Sequence, residues 1–268
     1  MPSRRRLDAE LVRRGLARSR EQAATLIAGG RVRVGGRVTS KPATAVAGAE
    51  PIVVSEPAGD DDYVSRGGHK LAGALDTFAA AGLGVVGRRC LDAGASTGGF
   101  TDVLLRRGAA EVVAVDVGYG QLAWSLRSDP RVVVLDRTNV RDLSPEIVGK
   151  PVDLVVADLS FISLRLVLAA LAAVTAPGGD LLLMVKPQFE VGRDRVGRGG
   201  VVREPALRAD AVRSVAAAAG EVGLGVAGVT ASPLPGPSGN VEYFLWLRAD
   251  ASPLDPVAVQ RAVEEGPA

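Results

Sequence analysis

Two spacings of apolar residues alternate along the 268-residue chain, and together they predict most of its elements. Short apolar runs bounded by charged or glycine-rich segments predict buried strands, and apolar residues three or four positions apart predict helices. The predicted strands lie at residues 88–92, 111–116, 131–135, 152–158, 180–186, 224–231 and 241–248. The predicted helices are one that ends at Ala81 and five at residues 99–107, 121–127, 164–175, 205–219 and 256–264. This alternation predicts an α/β fold in which helices cover both faces of a parallel sheet that ends in an antiparallel pair of strands.

The beginning of the chain has a different pattern, which predicts a small α+β domain. Two short helices are predicted at residues 8–14 and 19–28, and the capping sequence Ser19 to Gln22 opens the second. Residues 31–38 predict a β-hairpin, and residues 52–54 predict a third strand. We interpret Arg4 to Arg6, ahead of the first helix, as a mobile basic tail.

A polar stretch at residues 56–63 separates these two patterns and predicts a linker. We therefore expect a small domain at residues 1–59, a linker at 60–64 and a larger domain at 65–268.

Composition limits the classes of protein that fit. The chain is 47% hydrophobic and 23% charged, which is ordinary for a globular protein with a substantial core. The single cysteine, Cys90, excludes an internal disulfide, and the single histidine, His69, excludes a histidine-rich metal site, so we expect no metal. No secretory signal is visible, and no apolar run approaches the ~18–20 residues of a membrane span, so we expect a cytoplasmic protein.

Charge is distributed unevenly along the chain. Residues 1–41 contain eleven Lys and Arg but three Asp and Glu, whereas the rest contains 21 basic and 27 acidic residues. A basic domain on a mildly acidic body favours binding of a polyanion such as RNA, and the alternative is an arginine face that is merely solvated. The candidate RNA-binding residues are Arg4, Arg6, Arg13, Arg14, Arg18, Arg20, Arg31, Arg33, Arg37, Lys41 and, in the larger domain, Arg66.

A glycine-rich turn lies between the strand at 88–92 and the helix at 99–107. Its glycines, Gly94, Gly98 and Gly99, lack the G-x-G-x-x-G spacing of dinucleotide-binding turns and the Lys-Ser/Thr pair of the P-loop. The turn looks like the first motif of S-adenosylmethionine (SAM) methyltransferases, and the alternative is a turn used only for tight packing. The candidate cofactor-binding residues are Asp92, Gly94, Ala95, Ser96, Thr97, Gly98, Gly99, Phe100, Asp116, Val117, Asn139 and Asp158.

Four charged residues stand at the ends of apolar runs. Asp158 and Lys186 end two predicted strands, Glu242 begins the last, and Lys70 precedes the helix that ends at Ala81. Ligands bind at the carboxyl edge of such sheets, so we expect these side chains to meet there, although strand-end charges can also be simply solvated.

In chain order these four residues match the Lys-Asp-Lys-Glu tetrad of ribose 2′-O-methyltransferases. The wider chain resembles the TlyA family, in which an S4-like RNA-binding domain is fused to an FtsJ-like methyltransferase. The matching runs are residues 65–70, 91–100, 116–124, 157–162, 185–190 and 232–244. In the linker the likeness fails, because Asp61 and Tyr63 stand where family members carry Arg and Trp.

The resemblance implies a Rossmann-like SAM-dependent methyltransferase domain that methylates cytidine 2′-hydroxyls in 16S and 23S ribosomal RNA. It implies ribosomal RNA or ribosomal subunits as partners. The sequence does not indicate an oligomeric state, and the basic domain can bind RNA without a second copy, so no oligomer is required. As catalytic residues, Lys186 would take or steer the hydroxyl proton, Asp158 would orient it, and Lys70 and Glu242 would hold the ribose. Two alternatives stay open: a non-catalytic ribosome-binding or assembly factor, and a membrane-lytic protein, since family members have carried haemolysin names. The Gly/Arg-rich segment 190–203 is either a loop that closes over RNA or an ordinary connection.

Overall fold

The computed structural model describes residues 4–28, 31–48, 50–54, 63–236 and 238–267. They belong to two compact units, Met1–Asp62 and Tyr63–Ala268. Most of the linker predicted at residues 60–64, including Asp61, lies outside the described residues, and the domain limits stay a prediction.

The first unit combines two helices with two small antiparallel sheets. Its helices are α1 (Leu7–Arg13) and α2 (Arg20–Ala28), and its strands are β1 (Arg4–Arg6), β2 (Val32–Val34), β3 (Arg37–Val38), β4 (Ala45–Ala47) and β5 (Ile52–Val54). The strand orders are β3-β2-β5 and β1-β4. Both turn glycines of the hairpin, Gly35 and Gly36, have positive φ (56° and 81°), as tight hairpin turns require. A core that includes Leu7, Leu11 and Ile27 is fully buried.

The mobile tail predicted at Arg4 to Arg6 is wrong. These residues form strand β1, which pairs with Ala45–Ala47. Backbone amides make this pairing, so three exposed arginines give no apolar pattern that could predict it.

The second unit has a seven-stranded sheet. Its strands are β6 (Arg89–Ala93), β7 (Glu111–Asp116), β8 (Val132–Asp136), β9 (Val152–Ala157), β10 (Thr175–Val185), β11 (Gly225–Ala231) and β12 (Tyr243–Arg248). The order is β11-β12-β10-β9-β6-β7-β8. Neighbouring strands in the run β10-β9-β6-β7-β8 are parallel to one another. Strand β12 is antiparallel to both β10 and β11, so the last two strands form the predicted antiparallel pair.

Helices cover both faces of this sheet, which confirms the predicted α/β class. They are α3 (Gly67–Ala79), α4 (Gly99–Arg106), α5 (Trp124–Arg127), α6 (Pro145–Val148), α7 (Leu168–Val174), α8 (Pro187–Glu190), α9 (Pro205–Glu221) and α10 (Pro256–Glu264). Short 3-10 turns lie at Val140–Asp142, Leu164–Leu166 and Arg193–Arg195. Neighbouring strand residues such as Val155 and Val156 enter the cores on opposite faces, which is why the strands read as continuous apolar runs.

Several bounds differ from the predicted ones. Strand β10 begins at Thr175, five residues before the predicted start, and its pairing with β9 shifts register between Thr175 and Asp180. The helix predicted at 164–175 is divided into a 3-10 turn and α7. Within the described ranges, none of the helices combines the length and apolar character that a bilayer crossing needs.

Candidate active site

The glycine-rich turn lies at the carboxyl end of β6, and its backbone requires glycine at two points. Gly94 and Gly98 have positive φ of 87° and 100°. A Cβ on Gly94 would lie 2.7 Å from the carbonyl oxygen of Asp158, and one on Gly99 would lie 2.2 Å from Ser65 Oγ. The turn therefore fits closely between the end of β9 and the segment that leads into α3.

Asp92 is fully buried at the end of β6. Its Oδ2 accepts a hydrogen bond from Thr101 Oγ1 at 2.7 Å, whereas its Oδ1 is buried and has no hydrogen-bond partner among the described residues. Burial raises the pKa of Asp92 to about 7. An unsatisfied carboxyl oxygen of this kind suits a polar or cationic ligand group.

Asp116 ends β7 and fixes the neighbouring loops. Its Oδ2 accepts from the backbone N–H of Ser96 at 2.8 Å, and its Oδ1 accepts from Gly118 at 2.7 Å. The side chain of Asn139 caps the 3-10 turn at Val140–Asp142 by accepting from the N–H of Arg141. The cofactor roles of Asp116, Val117 and Asn139 stay predictions.

A cavity of about 280 Å³ opens beside the glycine turn. Its walls come from the start of α3 and the segment before it, the turn after β6, the ends of β9 and β10, and the loop between β11 and β12. They comprise Ser65, Arg66, Gly67, Lys70, Gly94, Ala95, Ser96, Thr97, Gly99, Phe100, Asp158, Ser160, Lys186 and Pro235. Seven of the twelve candidate cofactor residues therefore line one cavity together with both candidate lysines.

Three of the four candidate catalytic residues, Lys70, Asp158 and Lys186, line this cavity, and Glu242 joins them through an ion pair with Lys70. Lys70 Nζ lies 2.5 Å from Glu242 Oε2, although 172 positions separate the two residues, and both side chains are buried. Lys186 Nζ lies 2.6 Å from Asp158 Oδ1. Ser160 Oγ accepts a hydrogen bond from the same Nζ at 3.0 Å.

No sequence pattern indicates Ser160, although it follows Asp158 by two positions. None indicates Glu190 either, which is buried and accepts from Ser163 Oγ at 2.6 Å and from the N–H of Leu164 at 2.8 Å. Asn240 bonds to Gly200 and Val202. The segment 190–203 is therefore attached at both ends, and its closure over RNA stays a prediction.

The candidate RNA-binding arginines have different surroundings. Arg14 donates to the carbonyl oxygens of Glu50 (2.8 Å) and Gly48 (2.9 Å), so it holds the first unit together. Arg66 lines the cavity and donates to the carbonyl oxygen of Pro235. Exposed residues among the remaining candidates are Arg4, Arg6, Arg13, Arg18, Arg20, Arg33, Arg37 and Lys41, and Arg31 is half-buried.

Comparison with known proteins identifies both units. The model of the S4 domain matches residues 5–51, and that of the FtsJ-like methyltransferase matches residues 63–249. The 16S/23S rRNA (cytidine-2'-O)-methyltransferase TlyA of Mycobacterium tuberculosis is 62% identical over the full length of both chains. Hemolysin A of Brachyspira hyodysenteriae is 37% identical over 89% of this chain and 98% of its own.

A solved structure of a hemolysin-named protein from Streptococcus thermophilus has a TM-score of 0.76 and 37% identity, covering 99% of this chain and 96% of that one. The chain thus belongs to the TlyA family, with an S4 domain ahead of an FtsJ-like domain, and is a SAM-dependent methyltransferase.

Proposed function

We propose that the chain methylates the 2′-hydroxyl of cytidine in 16S and 23S ribosomal RNA, with Lys70, Asp158, Lys186 and Glu242 as its catalytic residues. The substrate follows from the name of the M. tuberculosis relative, which is 62% identical over the whole chain. The observation that carries the catalytic assignment is the convergence of both ion pairs on the cavity beside the glycine turn. An enzyme acting on ribosomal RNA is expected in the cytoplasm.

The residues around the cavity fit SAM. Glycine at positions 94 and 99 lets the turn pack closely against Asp158 and Ser65, which also line the cavity. The N-terminus of α4 provides N–H groups without helical partners. The unsatisfied Oδ1 of Asp92 suits the amino group of the methionine part. When bound, SAM supplies a methyl group on a positively charged sulfur, which is already activated for transfer.

The protein therefore has two tasks: it aligns the ribose oxygen with the methyl group and removes the hydroxyl proton. Alignment alone can supply ~7–11 kcal/mol of the reduction in barrier. Lys186 contacts both Asp158 and Ser160, which fix the direction of its Nζ. We assign to Lys186 either the acceptance of the hydroxyl proton, which requires its neutral amine form, or the steering of that proton as an ammonium group, and to Asp158 the orientation of the lysine.

Lys70 and Glu242 form the other side of the proposed site. Lys70 is 6% exposed and Glu242 is 1% exposed, so their ion pair is largely shielded from water. Separating the two side chains would leave a buried charge without a counter-charge, which is strongly unfavourable. The pair is therefore expected to stay together. We assign to this pair the positioning of the ribose.

The test is Lys186→Ala with Lys150→Ala as the matched control, because Lys150 is exposed on a loop. Transfer of tritiated methyl groups from SAM to ribosomal subunits should fall by about 100-fold or more in the first variant and stay unchanged in the second. Calorimetry should show SAM binding in both.

Near-normal transfer by Lys186→Ala with intact SAM binding would exclude the proposed role of this lysine. Transfer to a base atom, as opposed to the ribose oxygen, would exclude 2′-O-methylation altogether. Mapping the modified nucleotides by reverse-transcription stops at low nucleotide concentration separates these outcomes.

A further inference from the structure

Two buried carboxylates in the first unit organise a group of arginines. Asp8 and Glu10 lie on α1 and are 5% and 1% exposed. Arg6 and Arg20 bind Asp8, and Arg5, Arg13 and Arg14 lie within 4.0 Å of Glu10. Five guanidinium groups therefore surround two carboxylates, which leaves the group with a positive charge. We name these seven residues the arginine array.

The contacts within the array are specific in geometry. Arg6 binds Asp8 through Nε at 3.1 Å and Nη2 at 2.9 Å, and Arg13 binds Glu10 through Nε at 2.8 Å and Nη2 at 2.6 Å. Arg20 Nη2 shares Oδ2 of Asp8 with Arg6, at 3.1 Å. Arg14 joins Glu10 Oε1 at 2.8 Å. Each carboxylate thus accepts hydrogen bonds from two guanidinium groups, and Arg5 is a third, more distant cation near Glu10.

These contacts leave the arginines able to bind a further anion. A guanidinium has five N–H donors, and the bonds of Arg6 and Arg13 to the carboxylates use two each. The side chains of Arg6, Arg13 and Arg20 keep exposed fractions of 53%, 49% and 61%. An exposed arginine normally loses side-chain entropy when it binds phosphate, and an arginine already held by a carboxylate loses less.

The carboxylates remain ionised under all ordinary conditions. Hydrogen bonds from Arg6 hold the pKa of Asp8 at about 2, and those from Arg13 and Arg14 hold the pKa of Glu10 at about 2. Both carboxylates therefore carry their negative charge at neutral pH.

We propose that Asp8 and Glu10 are positioning residues for RNA: they arrange Arg6, Arg13 and Arg20 into a preformed surface for the phosphates of the RNA backbone. The proposal rests on the proposed function for the nature of the partner. It has a counter-intuitive consequence, because removing a negative charge from this domain should weaken its binding to a polyanion.

The test uses the full chain carrying Asp8→Asn, Glu10→Gln or both, with Glu21→Gln as the control. Glu21 is exposed in the first turn of α2, in the same unit. All three substitutions remove one negative charge, so long-range attraction to RNA rises equally. The probe is purified 23S ribosomal RNA in filter-binding assays at three salt concentrations.

Asp8→Asn and Glu10→Gln should bind the RNA about tenfold more weakly, whereas Glu21→Gln should bind as tightly as the parent or slightly more tightly. Circular dichroism checks that each variant is folded, and SAM binding checks the second unit alone. Should a variant unfold, Arg6→Lys with Arg20→Lys provides a second route, since it keeps the charge and removes the paired contacts, and it should also weaken binding.

Equal or tighter binding by folded Asp8→Asn and Glu10→Gln overturns the proposal, as does a parent protein that does not bind the RNA. The experiment measures RNA affinity and not methyl transfer. A protein that binds the RNA but transfers no methyl group would contradict the proposed function and leave the proposal for Asp8 and Glu10 intact.

Discussion

Asp92 shows how a single buried group can set a pH response. It has no solvent exposure, one of its oxygens has no hydrogen-bond partner within the part of the chain that the structure describes, and the carboxylates of Asp158 and Asp116 oppose its ionisation. Burial is the largest cause of its raised pKa of about 7, and the bond from Thr101 only partly offsets it. Its folded-state pKa lies above the unfolded value, so the fold favours the protonated form.

Replacement of Asp92 by Asn should therefore change the pH profile of stability. In the SAM-free parent, the contribution from protonated Asp92 is fully present below about pH 4 and is lost as the pH rises through about 7. The free energy of unfolding should fall across this window by roughly 1–4 kcal/mol more in the parent than in Asp92→Asn. Urea unfolding at intervals between pH 4 and 8 measures the difference, and parallel profiles for the two proteins would contradict it.

Among the elements, strands were the easiest to predict. Those that lie inside the sheet, such as β9, are buried on both faces and therefore appear as continuous apolar runs. Strand β10 was predicted too short, because its first residues include Pro177 and two glycines, which resemble a turn. Helices α6 and α8 have four residues each, too few for a helical period to appear.

Part of the candidate site could also be predicted from the positions of charged residues at strand ends. Asp158 and Lys186 could be predicted to meet because β9 and β10 are parallel, and Glu242 could be predicted to join them because it precedes β12, which is antiparallel to β10. Lys70 lies on α3, and only its match to the tetrad indicates that it belongs with them. Glu190 could not be predicted, because no local pattern indicates that a polar side chain four positions after Lys186 will be buried. Its two hydrogen bonds join α8 to the loop that carries Asp158 and Ser160.

Through these bonds, Glu190 is expected to fix the position of Lys186 relative to Asp158 and Ser160. Glu190→Ala leaves Ser163 Oγ and the N–H of Leu164 without their acceptor, which should cost about 1–3 kcal/mol of stability. We expect kcat for methyl transfer to fall about tenfold with little change in the KM for SAM, and Glu190→Gln to restore part of it. Glu221→Ala, at the exposed end of α9, is the control. A rise in the KM for SAM at constant kcat would refute this positioning role.

At the scale of the whole molecule, the two units have separate cores. The core of the first unit contains residues between Leu7 and Val54, and the cores on the two faces of the large sheet contain residues from Tyr63 onward. Tyr63 belongs with the second unit: its ring contacts His69, and Arg106 Cζ lies 5.0 Å from the ring centre. The N–H of Val64 donates to Asp102 Oδ2 at 2.9 Å. A second unit that retains these residues should therefore fold by itself.

A fragment of residues 60–268 tests how binding is divided between the units. It contains the cavity lined by Lys70, Asp158 and Lys186, so its affinity for SAM should match that of the full chain. It lacks the eleven Lys and Arg of residues 1–41, so its affinity for 23S ribosomal RNA should fall and depend less steeply on salt. Calorimetry with SAM and filter binding over a salt series measure the two quantities separately. If the fragment keeps the salt dependence of the full chain, the basic residues of the second unit, including Arg66 and the arginines of segment 190–203, provide the main contacts to RNA.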